Sequence, residues 1–385
     1  MPSAPAIPYF RLSGFYFAYF ALLGGVAPFL SLYFHHLGFS PARIGELVAI
    51  PMLMRCLAPN VWGWLGDRSG QRLLIVRLGA LCTAVAFSGI FFRQDYLWLA
   101  MIMALHSFFW HAVLPQFEAI TLSHLGQQSP RYAQIRLWGS VGFIGTVVAL
   151  GMALEWYTLD VYPAVMFAIM LAIFACSLLV PAPPSEPWRA AGQAAQGFLQ
   201  QLRRPGVIAF FVAVALMQLS HGPYYTFLTL HLEALGYGRT LIGFLWALGV
   251  VAEIVLFLFM ARLLSVVSLK QLLVASFVLA AVRWLLLGSL ASSLPVLLLA
   301  QVLHAATFGS FHVASIHFVQ RSFDERHQGQ GQALYAALAG TGGALGALYS
   351  GYVWHVLGAS GTFAIASFAA AIAALLLWRK LIAPA

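Results

Sequence analysis

The chain consists largely of apolar stretches, each about long enough to cross a lipid bilayer. They cover residues 9–35, 41–66, 71–92, 96–125, 134–155, 161–181, 206–234, 240–265, 271–290, 295–320, 330–356 and 361–381. A hydrocarbon core of ~30 Å needs about 20 residues of helix, and it offers no water to an irregular backbone. The sequence therefore predicts an all-α membrane protein with about twelve transmembrane helices.

The charged residues support this class and indicate an orientation. Only 8% of the 385 residues are charged, against roughly 25% in a soluble domain. The formal net charge of +9 reflects topology, because cytoplasmic loops retain Lys and Arg. Most of these cations lie on one side, whereas Arg43, Arg93 and Arg239 lie on the other. We expect a multi-pass protein of a cell membrane (a bacterial inner membrane) with both termini cytoplasmic and no nucleic-acid partner.

The chain is built twice from one hydrophobic unit. Residues 37–47 read LGFSPARIGEL, and residues 235–245 read LGYGRTLIGFL. The same offset places Leu105-His106 on Leu303-His304. Two copies in the same direction are typical of a transporter with two parallel halves. We expect a monomer with a six-helix bundle at 1–181, a cytoplasmic linker at 182–205 and a second six-helix bundle at 206–385.

A glycine-rich, charged loop follows the second span. It reads Gly63-Trp-Leu65-Gly66-Asp67-Arg68-Ser-Gly70-Gln-Arg72. Glycines let helix ends approach closely, the carboxylate can pair with an Arg, and the cations hold the loop inside. The stretch resembles the G-x-L-x-D-R-x-G-x-R/K loop signature of the major facilitator superfamily, in the same topological place. The resemblance implies a cytoplasmic gate motif at Gly63, Asp67, Arg68, Gly70 and Arg72.

Three further segments narrow the resemblance. Residues 136–143 (RLWGSVGF), 245–253 (LWALGVVAE) and 301–308 (QVLHAATF) are similar to the phenylpropionic acid transporter branch, a group of proton-coupled importers. The similarity covers essentially the whole chain and implies the major facilitator fold and proton symport. Residues 136–156 contain no proline, so the Gly-Pro run of the family's antiporters is missing. The Arg that many drug antiporters have in the fourth helix is also absent. Both departures favour uptake over efflux.

Two arginines and two glutamates are predicted to lie in the membrane interior, where charge is costly and side chains usually pair with one another. Glu253 and Arg283 lie at nearly equal depth on adjacent antiparallel spans, which predicts a pair. Arg55 lies at mid-membrane on the second span, and Glu118 on the fourth is its expected partner. If solute binding or helix movement opens such a pair, the carboxylate can take up a proton. We predict proton coupling by all four residues; permanently closed pairs that only orient helices are the alternative.

Polar and aromatic side chains recur at helical spacing on the first, fourth, seventh and tenth spans. The seventh is interrupted at Gly222-Pro223, where a broken helix can open backbone groups toward a cavity. The resemblance places these four spans around a central cavity. We therefore predict a substrate-binding set of Tyr19, Trp110, His111, Gln218, His221, Tyr225, Gln301, His304, Phe308 and His312. Interhelical hydrogen bonding by buried histidines is the alternative.

These patterns favour a proton-driven symporter that imports a small organic solute, such as an aromatic acid, by alternating access. Tyr19, Trp110, Tyr225 and Phe308 would suit an aromatic ring, with Arg55 or a His as the counter-ion. A sugar or nucleoside symporter is the first alternative, because Gln, His and Glu also bind hydroxyl groups. A non-transporting sensor on the same fold is the second.

The sequence offers little for an enzyme. We expect no cofactor and no metal, because the Cys and His residues lack ligand spacing. A G-x-x-x-x-G-K-[ST] loop is absent, which argues against ATP as the energy source.

Overall fold

A computed structural model describes residues 7–182 and 195–381, and within them the chain is helical without a β-strand. Its helices are α1 (Tyr9–His36), α2 (Pro41–Ser69), α3 (Arg72–Ser88), α4 (Tyr96–Leu125), α5 (Tyr132–Trp156), α6 (Tyr162–Leu179), α7 (Ala195–Leu202), α8 (Pro205–Ser220), α9 (Gly222–Ala234), α10 (Arg239–Val266), α11 (Leu269–Ser289), α12 (Leu294–His304), α13 (Phe311–Ser322) and α14 (Gln328–Lys380). A π-helical segment, Ala305–Ser310, joins α12 to α13.

Eleven of the described helical segments are long and apolar enough to cross a membrane. Each covers one predicted span except α14, whose 53 residues cover both 330–356 and 361–381. Gly358 interrupts α14 with φ 62° and ψ −166°, a conformation that glycine adopts without steric cost. Helix α14 therefore consists of two helices that meet at Gly358, and the prediction of an all-α protein with about twelve spans is confirmed.

Contacts divide the chain into two units. The first unit comprises Met1–Leu37 and Met54–Ala190, and the second comprises Gly38–Leu53 and Ala191–Ala385. In the first unit, α1 packs on α5 and α6, and α3 packs on α4 and α6. In the second unit, α14 packs on α8, α9 and α11, and α10 packs on α12. The predicted halves 1–181 and 206–385 stay a prediction.

Glycines set the closest helix approaches within each unit. In the first unit, a Cβ added to Gly142 of α5 would overlap the backbone of Phe17 on α1. In the second unit, a Cβ added to Gly346 of α14 would lie 2.6 Å from the carbonyl oxygen of Leu219 on α8. Small residues at such crossings let helix backbones come into van der Waals contact in a bilayer, where association depends on packing.

Helix α7 is attached to the second unit beside the start of α14. Phe198 stacks on Phe323 with ring centroids 5.2 Å apart, and Nε2 of Gln201 donates to Oδ2 of Asp324 at 2.8 Å. The backbone N–H of His327 donates to Oδ1 of the same carboxylate at 3.1 Å. The C-terminal part of the predicted linker 182–205 is therefore a docked helix, while residues 183–194 lie outside the described ranges.

We expect acid to loosen α7. The hydrogen bond from Gln201, together with those from His327, lowers the pKa of Asp324 below its ordinary value. A carboxylate with a depressed folded pKa stabilises the docked arrangement above its unfolded pKa, near 4, and loses that contribution as pH falls through the folded pKa. Hydrogen exchange of residues 195–202, corrected for its intrinsic pH dependence, should become faster below about pH 4. Gln201→Ala should give the faster exchange already at neutral pH; equal protection at both pH values would contradict this role for Asp324.

Candidate functional site

The second unit buries an acid–imidazole pair. Nε2 of His304 lies 2.8 Å from Oε1 of Glu253, and the two side chains are 7% and 15% exposed. Glu253 lies midway along α10, and His304 ends α12 where the π-helical segment begins. Gly249 of α10 makes room, because a Cβ there would lie 3.3 Å from Cδ2 of His304. Single π-helical turns within α-helices frequently occur at functional sites.

Arg283 lies beside this pair but binds other atoms. Its side chain is fully buried, and it donates to the carbonyl oxygen of Ala300 at 2.7 Å, to Oγ1 of Thr307 at 3.2 Å and to Oε1 of Gln301 at 3.4 Å. The rings of Tyr224 and Trp284 lie 4.2 Å and 4.8 Å from its guanidinium carbon. A buried guanidinium needs such acceptors and π faces.

The predicted direct pair of Glu253 with Arg283 is therefore wrong: within the described residues, the salt-bridge partner of Glu253 is His304. The two side chains do have similar depths on α10 and α11. Depth along a helix does not determine which face a side chain is on. Helix α12 supplies His304 to Glu253 and two acceptors, Ala300 and Gln301, to Arg283, while the π-helical segment supplies the third, Thr307.

Aromatic rings enclose His304. Tyr224 and Phe308 lie nearly parallel to its imidazole, with ring centroids 5.3 Å and 5.4 Å away. His221 meets it edge-on at 6.5 Å and stacks on Tyr225 at 5.9 Å. Five predicted residues thus come together in the second unit: His221, Tyr225, Gln301, His304 and Phe308. The prediction missed Tyr224, Trp284 and Trp246, whose ring lies 4.8 Å from that of Tyr224. The position of Tyr224 after Gly222-Pro223 was a usable signal.

Two buried nitrogens of this group have no hydrogen-bond partner among the described residues. They are Nε2 of His221 and Nδ1 of His304. His221 is 1% exposed and His304 is 6% exposed. Leaving a buried polar atom unpaired is costly, so a missing partner is expected at this place.

Two further members of the predicted set, Gln218 and His312, also lie in the second unit, and His312 is within Coulombic range of Glu253. His312 is exposed, and its Nδ1 lies 2.9 Å from the hydroxyl of Tyr335 on α14. Gln218 is half-buried, and no hydrogen bond of its side chain occurs within the described part of the chain. The same ranges contain no group of three or more His, Cys, Asp or Glu side chains placed to hold a metal ion.

The first unit holds the other carboxylate, Glu118 on α4. Its Oε1 accepts a hydrogen bond from Tyr132 at 3.2 Å, and Arg136 lies within Coulombic range of it. Arg55 is exposed and forms no salt bridge among the described residues, so the predicted Arg55–Glu118 pair is wrong. Depth explains the difference. Glu118 is about 10 Å from the end of α4 and Arg136 about 6 Å from the start of α5, whereas Arg55 is about 21 Å from the end of α2.

An aromatic stack in the first unit contains the remaining predicted ligands. Trp110 lies 5.6 Å from Tyr19 and 5.2 Å from His111, measured between ring centroids. His106, which the prediction missed, stacks on Trp110 at 5.7 Å. Nε1 of Trp110 and Nδ1 of His106 are buried without a hydrogen-bond partner among the described residues. The spacing of His106 and Trp110, four residues apart, was the available signal.

The charged loop motif forms a small network in the first unit. Nη2 of Arg72 lies 2.6 Å from Oδ1 of Asp67, and its Nη1 donates to Oε1 of Gln116 on α4 at 3.4 Å. Gly70 has φ +66°, which explains a glycine there. Arg68 lies over the ring of Trp64 at 5.5 Å. Nothing lies within 4 Å of where a Cβ on Gly63 would stand.

The Asp67–Arg72 pair is expected to contribute little to stability. The two side chains are 59% and 38% exposed, and exposed pairs typically contribute about 0.2–1 kcal/mol. A double-mutant cycle with Asp67→Asn and Arg72→Gln, followed by thermal unfolding in detergent, should give a coupling energy in that range that falls with added salt. A salt-insensitive coupling above about 2 kcal/mol would contradict this expectation.

Known transporters resemble the chain over nearly its whole length. The sequence matches the MFS_1 like family over residues 9–365. It is 27% identical over 355 residues to a probable 3-phenylpropionic acid transporter of Escherichia coli (strain K12), covering 89% of this chain and 90% of that protein. It is also 27% identical over 383 residues to a maltose permease of Geobacillus stearothermophilus, covering 95% and 93%.

Solved structures share the fold. A crystal structure of the nucleoside transporter NupG has a TM-score of 0.84 at 17% identity, covering 97% of this chain and 98% of that chain. A POT family transporter in complex with a thioalcohol-conjugated peptide has a TM-score of 0.76 at 12% identity, covering 96% and 95%. At these identities the likeness concerns the arrangement of helices alone.

Proposed function

The chain belongs to the MFS_1 like family of secondary transporters, and we propose that it imports a small organic solute together with a proton. It is a multi-pass membrane protein and not an enzyme. The proposed mechanism is alternating access by the halves 1–181 and 206–385. Glu253 is the proposed proton carrier, with His304 as its partner.

The observation that carries proton coupling is the buried contact between Glu253 and His304. A carboxylate inside a membrane span is stable when it is ionised against a hydrogen-bond donor or when it is protonated. The imidazole can serve both forms, because it can donate to a carboxylate and accept from a carboxylic acid. Arg283 has its own acceptors, so it does not hold Glu253 in the ionised form by direct contact. Glu118, hydrogen-bonded to Tyr132, is the proposed second titrating site.

An aromatic acid is the first proposed solute class. The E. coli relative is named for 3-phenylpropionic acid. The aromatic side chains of Tyr225 and Phe308 in the second unit, and of Tyr19 and Trp110 in the first, offer flat apolar faces to a ring. Arg55 is exposed, and so it is free to act as the counter-ion of a carboxylate.

A sugar or nucleoside is the second candidate. The Geobacillus relative is a maltose permease, and aromatic faces also stack on sugar rings. The unpartnered nitrogens of His221 and His304 favour a solute with hydroxyl groups. Both candidates keep the same mechanism of proton coupling.

We further propose that the protein resides in a bacterial inner membrane, with both termini cytoplasmic, and acts as a monomer. The distribution of Lys and Arg between the loops supports this orientation. Single-cysteine variants on the exposed side chains Arg93 and Arg131 test it: an impermeant thiol reagent added outside cells should label the first position and spare the second.

Reconstituted vesicles test the proposed function. Adding a transported solute outside vesicles without an imposed gradient should raise the external pH, because protons enter with the solute. An imposed inward proton gradient should drive accumulation of a labelled aryl acid, 3-phenylpropionate or 3-(4-hydroxyphenyl)propionate, and a protonophore should abolish it. Uphill accumulation of maltose or a nucleoside but of no aryl acid would move the proposal to the second solute class. Accumulation that is insensitive to the protonophore would contradict proton coupling.

A further inference from the structure

We propose that Nε2 of His221 and Nδ1 of His304 recognise hydroxyl groups of the transported solute, both acting as hydrogen-bond acceptors. The inference rests on the proposed transport function and specifies its solute. It applies to an aromatic acid that carries a ring hydroxyl as well as to a sugar or nucleoside. It disfavours a solute whose ring carries no hydrogen-bond donor.

The contacts of His221 set its tautomer. Nδ1 of His221 lies 2.8 Å from the carbonyl oxygen of Met217. A carbonyl can only accept, so Nδ1 carries the proton, and in a neutral imidazole Nε2 then presents a lone pair. A charged imidazolium would be a fully buried ion with an unpaired N–H, because no carboxylate contacts this ring in the described chain. Nε2 is therefore an acceptor in need of a donor.

Nδ1 of His304 is also a hydrogen-bond acceptor, because of the contact that Nε2 makes with Glu253. When Glu253 is ionised, its carboxylate can only accept, so Nε2 of His304 donates across the 2.8 Å contact. Nδ1 then presents a lone pair. Gly249 of α10 lies on the Cδ2 edge of the imidazole, and Nδ1 is on the opposite edge. The acceptor therefore faces away from α10.

The two acceptors lie in one apolar surround. The imidazole rings are 6.5 Å apart between centroids and meet edge to face, and Phe308 lies 6.2 Å from His221 and 5.4 Å from His304. A ring-bearing solute can stack on such side chains while its hydroxyl groups reach the nitrogens. A carboxylate would meet two lone pairs instead, and Arg283 already donates to Ala300, Thr307 and Gln301.

Protonation of Glu253 would change what His304 offers. A carboxylic acid donates to Nε2 of His304, and a neutral imidazole then carries its proton on Nδ1. Nδ1 becomes a donor. A solute hydroxyl can pair with Nδ1 of His304 in both states of Glu253, since it both donates and accepts. A methoxy or fluoro substituent can only accept, so it can pair with Nδ1 only when Glu253 is protonated. The imidazole of His304 would thus contact both the proton-binding carboxylate, through Nε2, and the solute, through Nδ1.

Ring-nitrogen NMR tests the tautomers without any solute. The protein is labelled with ¹⁵N-histidine, reconstituted in lipid at neutral pH, and assigned by difference with His221→Phe and His304→Phe. The expected result is a neutral His221 protonated at Nδ1 and a neutral His304 protonated at Nε2. The opposite tautomer or an imidazolium at His221, or a proton on Nδ1 of His304 while Glu253 is ionised, would overturn the proposal.

Matched solutes test the recognition. The binding of 3-(4-hydroxyphenyl)propionate and 3-phenylpropionate, and of a nucleoside and its dideoxy analogue, is followed by competition on the purified protein without a gradient. We expect the hydroxylated member of the bound pair to bind at least tenfold more tightly, because its analogue leaves buried acceptors unpaired. His221→Phe should reduce this preference several-fold. His317→Phe, on α13 of the span that contains His304, should leave it unchanged.

Equal affinity of the matched solutes would overturn the inference and would indicate that an enclosed water satisfies the two nitrogens. Loss of the preference in His317→Phe would overturn it as well. Failure of the proposed function has a different signature. If the hydroxyl preference and its loss in His221→Phe are observed while solute entry moves no protons, the recognition stands and the symport proposal falls.

Discussion

Replacing Glu253 by Gln is expected to abolish proton-driven accumulation while solute exchange continues. Gln has nearly the shape of the protonated carboxylic acid and can still meet Nε2 of His304, but it cannot release a proton. Vesicles with an imposed inward proton gradient should therefore bring the labelled solute only to equal internal and external concentrations. Exchange of labelled for unlabelled solute across the same membrane needs no net proton movement, so it should persist.

The reason for so large an effect is thermodynamic. A gradient of one species can drive another only through a coupling free energy between the two binding events. In the proposed mechanism, the buried contact between Glu253 and His304 puts proton binding and solute binding one imidazole apart. If Glu253 binds the coupled proton, its removal leaves no coupling; accumulation that persists in part would instead assign the remaining coupling to the second titrating site, Glu118.

Glu233→Gln is the matched control for this experiment. Glu233 lies in the same unit and is also paired, with its Oε1 2.6 Å from Nε of Arg239. It lies near the end of α9, and it is half-buried with a side chain 30% exposed. Glu233→Gln should keep gradient-driven accumulation. If Glu253→Gln accumulates solute as the wild type does, the proton binds elsewhere, and Glu118 becomes the next carboxylate to replace.

Much of this architecture could be predicted from the sequence because the thickness of a membrane sets the length of each spanning helix. Apolar runs gave span limits close to those of the helices, and even Gly358 lay in the gap between two predicted spans. The charged motif was predicted as a loop after the second span, whereas residues 63–69 belong to α2 and only Gly70 and Gln71 lie in the turn. The expected contact between Asp67 and an arginine is present, with Arg72 as the partner. These features are local, since they depend on composition and spacing along one stretch of chain.

The partners of the buried charges could not be predicted in the same way. Spacing gave similar depths for Glu253 and Arg283 but could not show that His304, and not Arg283, contacts the carboxylate. The π-helical segment Ala305–Ser310 changes the helical phase of the tenth span after His304, so later residues face other directions than α-helical spacing predicts. Nothing in the sequence of those six residues indicates a π-helix. Arg136 was not among the residues predicted to pair with Glu118, yet it lies over the ring of Phe20 at 3.7 Å and near Glu118.

The second large effect is expected from a methyl group on the first helix of α14. Gly346→Ala would place a Cβ 2.6 Å from the carbonyl oxygen of Leu219 and 3.0 Å from Cα of Gly222. Both are backbone atoms, which cannot rotate out of the way as a side-chain end can. Helices α8 and α9 would have to move from α14, and α14 packs on both.

Two opposed contributions decide whether Gly346→Ala raises or lowers the stability of the protein. Alanine in a helix interior gains about 0.5–1 kcal/mol over glycine through backbone entropy. Overpacking a well-packed contact costs about 1–3 kcal/mol, and more when only the backbone can yield. Packing should win at Gly346, so the variant is expected to unfold at a lower temperature in detergent, with a net loss of about 2 kcal/mol.

Gly343→Ala separates the two terms, because it makes the same substitution one turn earlier in the same helix. A Cβ there would meet only Met52, with Sδ at 3.5 Å, an ordinary van der Waals contact at the end of a flexible side chain. Only the entropy term then remains, and this variant should be as stable as the wild type or more stable by up to about 1 kcal/mol. If both variants lose stability equally, the loss arises from glycine flexibility in α14 and not from the close approach of α8 and α9, and the packing explanation for Gly346 fails.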